Sequence, residues 1–329
     1  MRHVPIVVLL GLVACTAAGC RRPTVAPPSV TYDEAAFARK AFASFTVALD
    51  AKGDPTETIV GAARSYVVRD GDTLLDVARL HDLGFNEIVE ANPGVDPWVP
   101  QVGTTIALPT TWVLPCCTYR GLVVNIPEMR LFWYEQSPGD GRHLRVQTFP
   151  VGLGRKDRRT PRGTFTVRGK TVNPAWVVPE TIRAEHVRER GDARRVIRGG
   201  AEDNPLGKFR LELSLAPYAI HGSDIPWGVG MQVSHGCVRL YPEDIERLFT
   251  MVPIGAPGEF VYQPVKVGRR SGRVWVEVHP DVYGFTGKTP EKALDGALWR
   301  ARVRPRPSAA RLATALRESR GLPVAVTGP

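Results

Sequence analysis

The sequence predicts a multidomain chain in which a small α+β module of strand–helix–helix–strand order precedes a larger, mainly-β domain. Two observations carry this. Between residues 66 and 109, two short apolar strands (66–68 and 105–108) enclose two runs of helical spacing (74–81 and 85–92). From residue 114 on, the apolar residues fall in short runs cut by Gly and Pro, with a single clear helical run at 242–251.

Of the 329 residues, 43% are hydrophobic and 23% charged, an ordinary soluble composition long enough for more than one core. The start is different: Met1-Arg2-His3 is positive, residues 4–14 are nearly all apolar, and small residues follow up to Gly19-Cys20. That pattern reads as an export signal over residues 1–20, too short for an ordinary membrane-spanning helix. Two cysteines there follow small residues in the manner of bacterial lipoprotein signals. Cys15 has the more similar local sequence and Cys20 gives the more usual length, so Cys20 is favoured as the lipidated residue, with Cys15 as the alternative. The expectation is an exported protein of the periplasm or cell envelope, tethered to a membrane by a lipid anchor. Residues 21–61 read as a Pro-rich spacer followed by one amphipathic helix over 32–50.

In the small module, residues 62–110, the turn Asp70-Gly71-Asp72-Thr73 opens the first helix: Gly permits a positive φ, and Asp or Thr accepts hydrogen bonds from the unpaired first-turn amides. Asn92-Pro93 ends the second helix. Together with Gly103-Thr104-Thr105-Ile106 and Pro109, these residues resemble the LysM family from end to end. The resemblance implies binding of N-acetylglucosamine-containing glycan strands in a shallow groove involving Gly71, Asp72, Thr73, Asn92 and Pro93. The same residues also build turns, and both readings stand at this point.

The mainly-β domain is placed at 114–267, with strands at 121–126, 129–134, 144–151, 163–168, 209–220 and 259–267. A strand extension follows at 268–282. Residues 170–207 are long and polar with few strand signals, as expected for a lid or binding loop. Residues 283–329 hold nine Lys or Arg against three acids, within a chain of net charge +10, and read as a basic tail. In an exported protein nucleic acid is excluded as a partner. Anionic lipid head groups or wall polymers are the counterparts such a charge would meet, a solvated tail without a partner is the alternative, and the tail is expected to leave the chemistry untouched.

The chemistry is concentrated between Tyr218-Ala-Ile-His221-Gly222 and Ser234-His235-Gly236-Cys237-Val238-Arg239. A thiol attacks acyl carbon as thiolate, and an imidazole brought beside it can take the proton. Glycine before the cysteine lets backbone amides converge on one point, as an oxyanion pocket requires. Cys116 and Cys117 are adjacent, and such a pair seldom bridges itself. A zinc site of His221, His235 and Cys237 is the bland alternative, lacking a fourth ligand in the spacing.

This stretch resembles the signature of the YkuD-type L,D-transpeptidases, and the resemblance extends over about residues 114–282, to the ErfK/YbiS-like branch. It implies a β-sandwich with a small helix beside the active site, and neither a cofactor nor a metal. Cys237 would be the nucleophile and His221 the base, oriented by the carbonyl of Gly222. The amides of His235, Gly236 and Cys237 would hold the oxyanion. Arg239 would pair with a carboxylate of the stem peptide, with Ser234, His235 and Trp227 lining the substrate site. The reaction implied releases D-alanine from a tetrapeptide stem of peptidoglycan through a thioester and transfers the acyl group to an amine, either another stem or an envelope lipoprotein. An L,D-carboxypeptidase using the same residues, or a non-catalytic wall-binding LysM lipoprotein, are the competing readings.

Overall fold

A computed structural model describes residues 34–116, 118–136, 141–285, 290–303 and 307–327; residues 1–33, where the export signal with Cys15 and Cys20 is expected, and Cys117 lie outside the described residues. Among them the helices are α1 (Glu34–Ala38), α2 (Leu74–Leu80), α3 (Phe85–Ala91), α4 (Glu180–Arg190), α5 (Pro242–Met251), α6 (Pro290–Arg300) and α7 (Ala309–Glu318).

The larger domain is built on a nine-stranded mixed sheet ordered Ser44–Ala48, His143–Pro150, Arg130–Gln136, Gly121–Asn125, Pro257–Val261, Gly163–Val172, Phe209–Leu213, Ala219–His221 and Val238–Arg239. Strand Gly163–Val172 belongs to both halves of it. Its first residues pair with Pro257–Val261 and its last with Phe209–Leu213, and the register shifts between Val167 and Gly169. An irregularity of this kind bends a strand, and here it brings two halves of the sheet face to face. Leu122, Leu131, Phe149 and Phe165 from one half meet Leu211, Ile220 and Val238 from the other, with Ile245 and Leu248 of α5 closing the core. Each such buried side chain contributes about 1.5–3 kcal/mol.

The central strands Gly121–Asn125 and Arg130–Gln136 are apolar on both faces, and both faces are covered. Val123, Phe132, Tyr134 and Val146 point away from the first core and join Leu74, Val77, Leu83, Ile88 and Leu108 of the small module. That module has the expected order, with strand Arg64–Val67 antiparallel to Thr105–Leu108 around α2 and α3. It shares a core with the sheet. Charges reinforce the joint: Arg130, without exposure, donates to Glu87 of α3 at 2.8 and 2.7 Å, and the Trp112 indole N–H donates to the same carboxylate at 3.0 Å.

Several expectations are corrected. The helix foreseen over 32–50 is only α1, followed by strand Ser44–Ala48, which adds to the sheet edge at His143–Pro150. Edge pairing, invisible in local spacing, overrides the helical period there. The strand foreseen over 209–220 is two, Phe209–Leu213 and Ala219–His221, and that over 259–267 breaks before Val265 at Pro264, which has no N–H to give a ladder. The lid region holds α4 and the small hairpin Trp176–Val177 with Val196–Ile197.

The basic tail is folded. Strand Arg273–Val278 pairs with Val265–Arg270 and with Val324–Ala325, and Leu294, Ala297, Ala315, Leu316 and Val326 form a third core against Val265, Val274, Val276 and Val278. Arg320 of this region donates to the carbonyl of Ala91 at the end of α3. No helix among the described residues is long and apolar enough to cross a membrane.

Candidate active site

Strand Ala219–His221 runs parallel to Val238–Arg239, with His221 opposite Arg239. Because side chains alternate, Ala219, His221, Cys237 and Arg239 share one face. All four line a single cleft of about 780 Å³. Segment 175–206 supplies its other wall through Trp176, Ile182, His186, Arg190 and Leu206.

His221 is 2% exposed, and its Nδ1 lies 2.7 Å from the carbonyl oxygen of Gly222. A carbonyl only accepts, so Nδ1 carries the hydrogen and Nε2 keeps its lone pair. Burial, then the charge of Arg239, lowers the imidazole pKa to about 3, so the ring is neutral near pH 7. Burial also pushes the Cys237 thiol up, against a backbone hydrogen bond from Ala219 and the fields of Arg210 and Arg239. The resting pair is therefore a neutral thiol and a neutral base. Gly236 has φ +110°, and a Cβ there would stand 2.6 Å from Cε1 of Tyr218, so only glycine fits before the cysteine.

The Ser234 hydroxyl donates to the Cys237 carbonyl at 2.6 Å and accepts from the Gly236 amide at 3.1 Å. It braces the turn, and it takes up one of the three amides expected to hold an oxyanion, leaving those of His235 and Cys237. The His235 ring turns to α4: its Nε2 is 3.0 Å from Glu185, which also accepts from Arg155 at 2.7 Å. Hydrogen bonds from Arg155 and His235 hold the Glu185 carboxyl down to about 2. The ligand atoms of His221, His235 and Cys237 do not gather within ligating distance; among the described residues that closeness occurs at Glu128, Glu277 and His279. There the Lys266 ammonium sits between the carboxylates, 2.9 Å from Glu277, and takes the cation's place.

Arg239 is oriented into the cleft with its Nε buried and without a hydrogen-bond partner, and Oδ1 of Asp224, another lining residue, is in the same condition. Asp224, Arg210 and the cationic residues of the lid were not foreseen from sequence. Arg210 reaches the cleft because its strand pairs it with His221, and the cations of 175–206 reach it through the fold of that segment; neither relation is local in the sequence. Trp227 stands on the turn Pro226–Gly228, 46% exposed, and is not among the lining residues.

In the small module, Gly71 has φ +82° with open space around it, and Asp72 accepts from the Tyr66 hydroxyl at 2.8 Å and the Arg69 amide at 2.7 Å. Thr73 caps α2, and its side chain is buried. Asn92 is turned inward, contrary to a groove role: its side chain donates to Ile88 and Ala107 and accepts from Ala107, all at 2.7–2.8 Å. Pro93 remains exposed. The Leu74 amide donates to the Pro97 carbonyl at 2.9 Å and joins the two loops, placing beside them Trp98, 58% exposed and missed by the motif reading.

A thiol and a neutral imidazole on neighbouring strands, at the floor of a cleft with a spare guanidinium donor, have the chemistry of a cysteine acyl-transfer site. The chain matches the L,D-transpeptidase catalytic domain family (YkuD) over residues 119–267 and the LysM domain family over 66–109. It is 36% identical to probable L,D-transpeptidase YcfS of Escherichia coli K12, over 67% of this chain and 69% of that one. With probable L,D-transpeptidase ErfK/SrfK of the same strain it shares 36%, over 67% and 70%. The solved catalytic domain of the Enterococcus faecium L,D-transpeptidase overlays at TM-score 0.31 with 21% identity, covering 43% of this chain and 96% of that one. The chain belongs to the L,D-transpeptidase family and carries a LysM domain.

Proposed function

We propose that this protein cleaves the terminal D-alanine from a peptidoglycan tetrapeptide stem and passes the remaining acyl group to an amine. His221 Nε2 takes the Cys237 proton, and the thiolate adds to the carbonyl of the third stem residue. The amides of Cys237 and His235 receive the oxyanion, and collapse expels D-alanine, whose amine takes the proton back from His221. The acceptor amine then attacks the thioester, gives its proton to His221, and releases Cys237. Arg239 pairs with a stem carboxylate, to which its fork of donors is matched. The observation that carries this reading is the convergence of Cys237, His221 and Arg239 on one face of one cleft, with His221 neutral and held by Gly222. The LysM domain holds the glycan strand through the 71–73 turn, Pro93 and Trp98. The amine comes from a second stem or from an envelope lipoprotein.

Export to the cell envelope, with a lipid at Cys20 or Cys15, is part of the same reading and rests on the signal pattern. Labelling with a fatty-acid analogue checks it: incorporation vanishes in Cys20→Ala if Cys20 is the anchor and in Cys15→Ala if Cys15 is. The enzymatic claim is tested with a disaccharide tetrapeptide, with and without an acceptor amine, for the protein and for Cys237→Ala. The expected result is D-alanine release and a cross-linked product for the intact cysteine alone. Tripeptide as the sole product would make it a carboxypeptidase, and equal inertness of both proteins would leave a wall-binding module.

A further inference from the structure

Behind the nucleophile loop lies a closed set of hydrogen bonds that the reaction scheme does not use. The Tyr283 hydroxyl donates to the Gly154 carbonyl at 2.6 Å and accepts from the Thr160 amide at 3.2 Å. The Thr160 hydroxyl accepts from the Gly154 amide at 3.0 Å and donates to the Gly236 carbonyl at 3.0 Å. Thr160 is 0% and Tyr283 4% exposed, so no water competes for these bonds. Gly154 must be glycine here, since a Cβ would come within 2.8 Å of the Gly236 Cα. Tyr283 is itself fixed from its own side: its amide donates to the Tyr262 hydroxyl at 2.9 Å, and the Phe285 amide donates to Asp281 at 3.1 Å.

We infer that Tyr283 and Thr160 are positioning residues for Cys237, and that the segment after strand Arg273–Val278 thereby supports catalysis. Sterics demand glycine at 236, and glycine leaves its backbone free to rotate. The Gly236 carbonyl and the Cys237 N–H belong to one planar peptide unit and point in opposite directions. Anchoring the oxygen on Thr160 therefore aims the amide toward the cleft and fixes the Cα that carries the thiol. The amide and the hydroxyl of Thr160 are both engaged, and the one hydroxyl proton goes to Gly236 because its lone pair faces the Gly154 amide. Tyr283 holds Thr160 and Gly154 in that arrangement.

This inference rests on the reading of Cys237 as nucleophile. The test uses the full chain and the tetrapeptide donor, comparing wild type, Tyr283→Phe, Thr160→Val and Thr160→Ser, with Cys237→Ala as control. Small misplacement of a reacting group costs on the order of 10- to 100-fold in rate. Tyr283→Phe and Thr160→Val should lose about that much in kcat while KM stays within about twofold. Thr160→Ser, which restores the hydroxyl, should recover most of it. Wild-type kcat in both Tyr283→Phe and Thr160→Val would overturn the inference, as would Thr160→Ser falling with Thr160→Val, because a hydroxyl would then not be the operative group. Equal donor turnover by wild type and Cys237→Ala would instead overturn the nucleophile reading beneath it.

Discussion

On its outer face the sheet is fastened to the LysM domain by Arg130 and Glu87, whose side chains are 0% and 4% exposed; the cleft wall formed by α4 reaches the loop that carries Cys237 through Glu185, His235 and Arg155, at 15%, 24% and 34%. Both contacts are hydrogen-bonded ion pairs of similar length. Their surroundings make them different devices. A buried charge that loses its partner is left stranded in a low-dielectric core, whereas a partly exposed one is resolvated at little cost. Below the outer pairs lies a continuous apolar core, while Ile182 is the one buried residue of α4. The LysM domain is thus a rigid extension of the catalytic sheet, and α4 is a cover that can be released.

Arg130→Met breaks that comparison most severely. It strands Glu87 and should remove about 3–5 kcal/mol from the stability of the whole unit. Urea unfolding followed separately in the two domains should show one coincident transition in the wild type. A distinct, weaker LysM transition would mean that the shared core does not couple them.

The pH dependence sharpens the comparison from both sides. His279 lies among Glu277, Glu128 and Glu90, and although burial alone would lower its pKa, the hydrogen bond to Glu277 and the surrounding carboxylates raise it from 6.5 to about 10. Its contribution is fully present below pH 6.5 and is lost as pH rises through about 10, at roughly 1.4 kcal/mol per unit within that window. His279→Gln should flatten the alkaline side of a stability profile. His221 has the opposite sign: with its folded pKa lowered to about 3, its contribution is present above 6.5 and is lost as pH falls toward 3. A kcat profile should accordingly keep its base neutral at pH 5. An acid limb centred near 6.5 would contradict the buried, neutral imidazole.

The smallest effect belongs to the cover. Glu185→Gln should change global stability by at most about 1 kcal/mol. It should nevertheless speed hydrogen exchange in α4 and change KM more than the melting temperature. Protection of α4 that stays at wild-type level would show that Ile182 and its neighbours hold the cover without the latch.

The place of the candidate site was legible in the sequence because it is written over few residues: His221 and the run from Ser234 to Arg239 meet at one cleft, as their spacing predicts, and α5 begins at Pro242, where a missing N–H is no loss. What escaped was long-range. Arg130 alternates as a surface residue would, yet both faces of its strand are covered, and only the fold brings Glu87 to it across 43 positions. The strand at Ser44–Ala48 needs a sheet edge to exist. The arginines of 283–329 concealed the apolar spacing of Leu294, Ala297 and Leu316, so a folded brace read as a basic tail. Tyr283, at the start of that region, donates its hydroxyl to the carbonyl of Gly154, 129 positions earlier. Asn92 was assigned to the groove from its motif, but the motif alone does not tell a side chain that closes a turn from one that faces a ligand.

The most direct test of Cys237 as nucleophile is rapid acid quenching of the protein mixed with tetrapeptide donor in the absence of acceptor, followed by mass analysis of its peptides. An adduct of the donor less D-alanine is expected on the peptide that contains Cys237, labile to hydroxylamine and absent from Cys237→Ala. An adduct on another residue, or donor cleavage by Cys237→Ala at the wild-type rate, would contradict it.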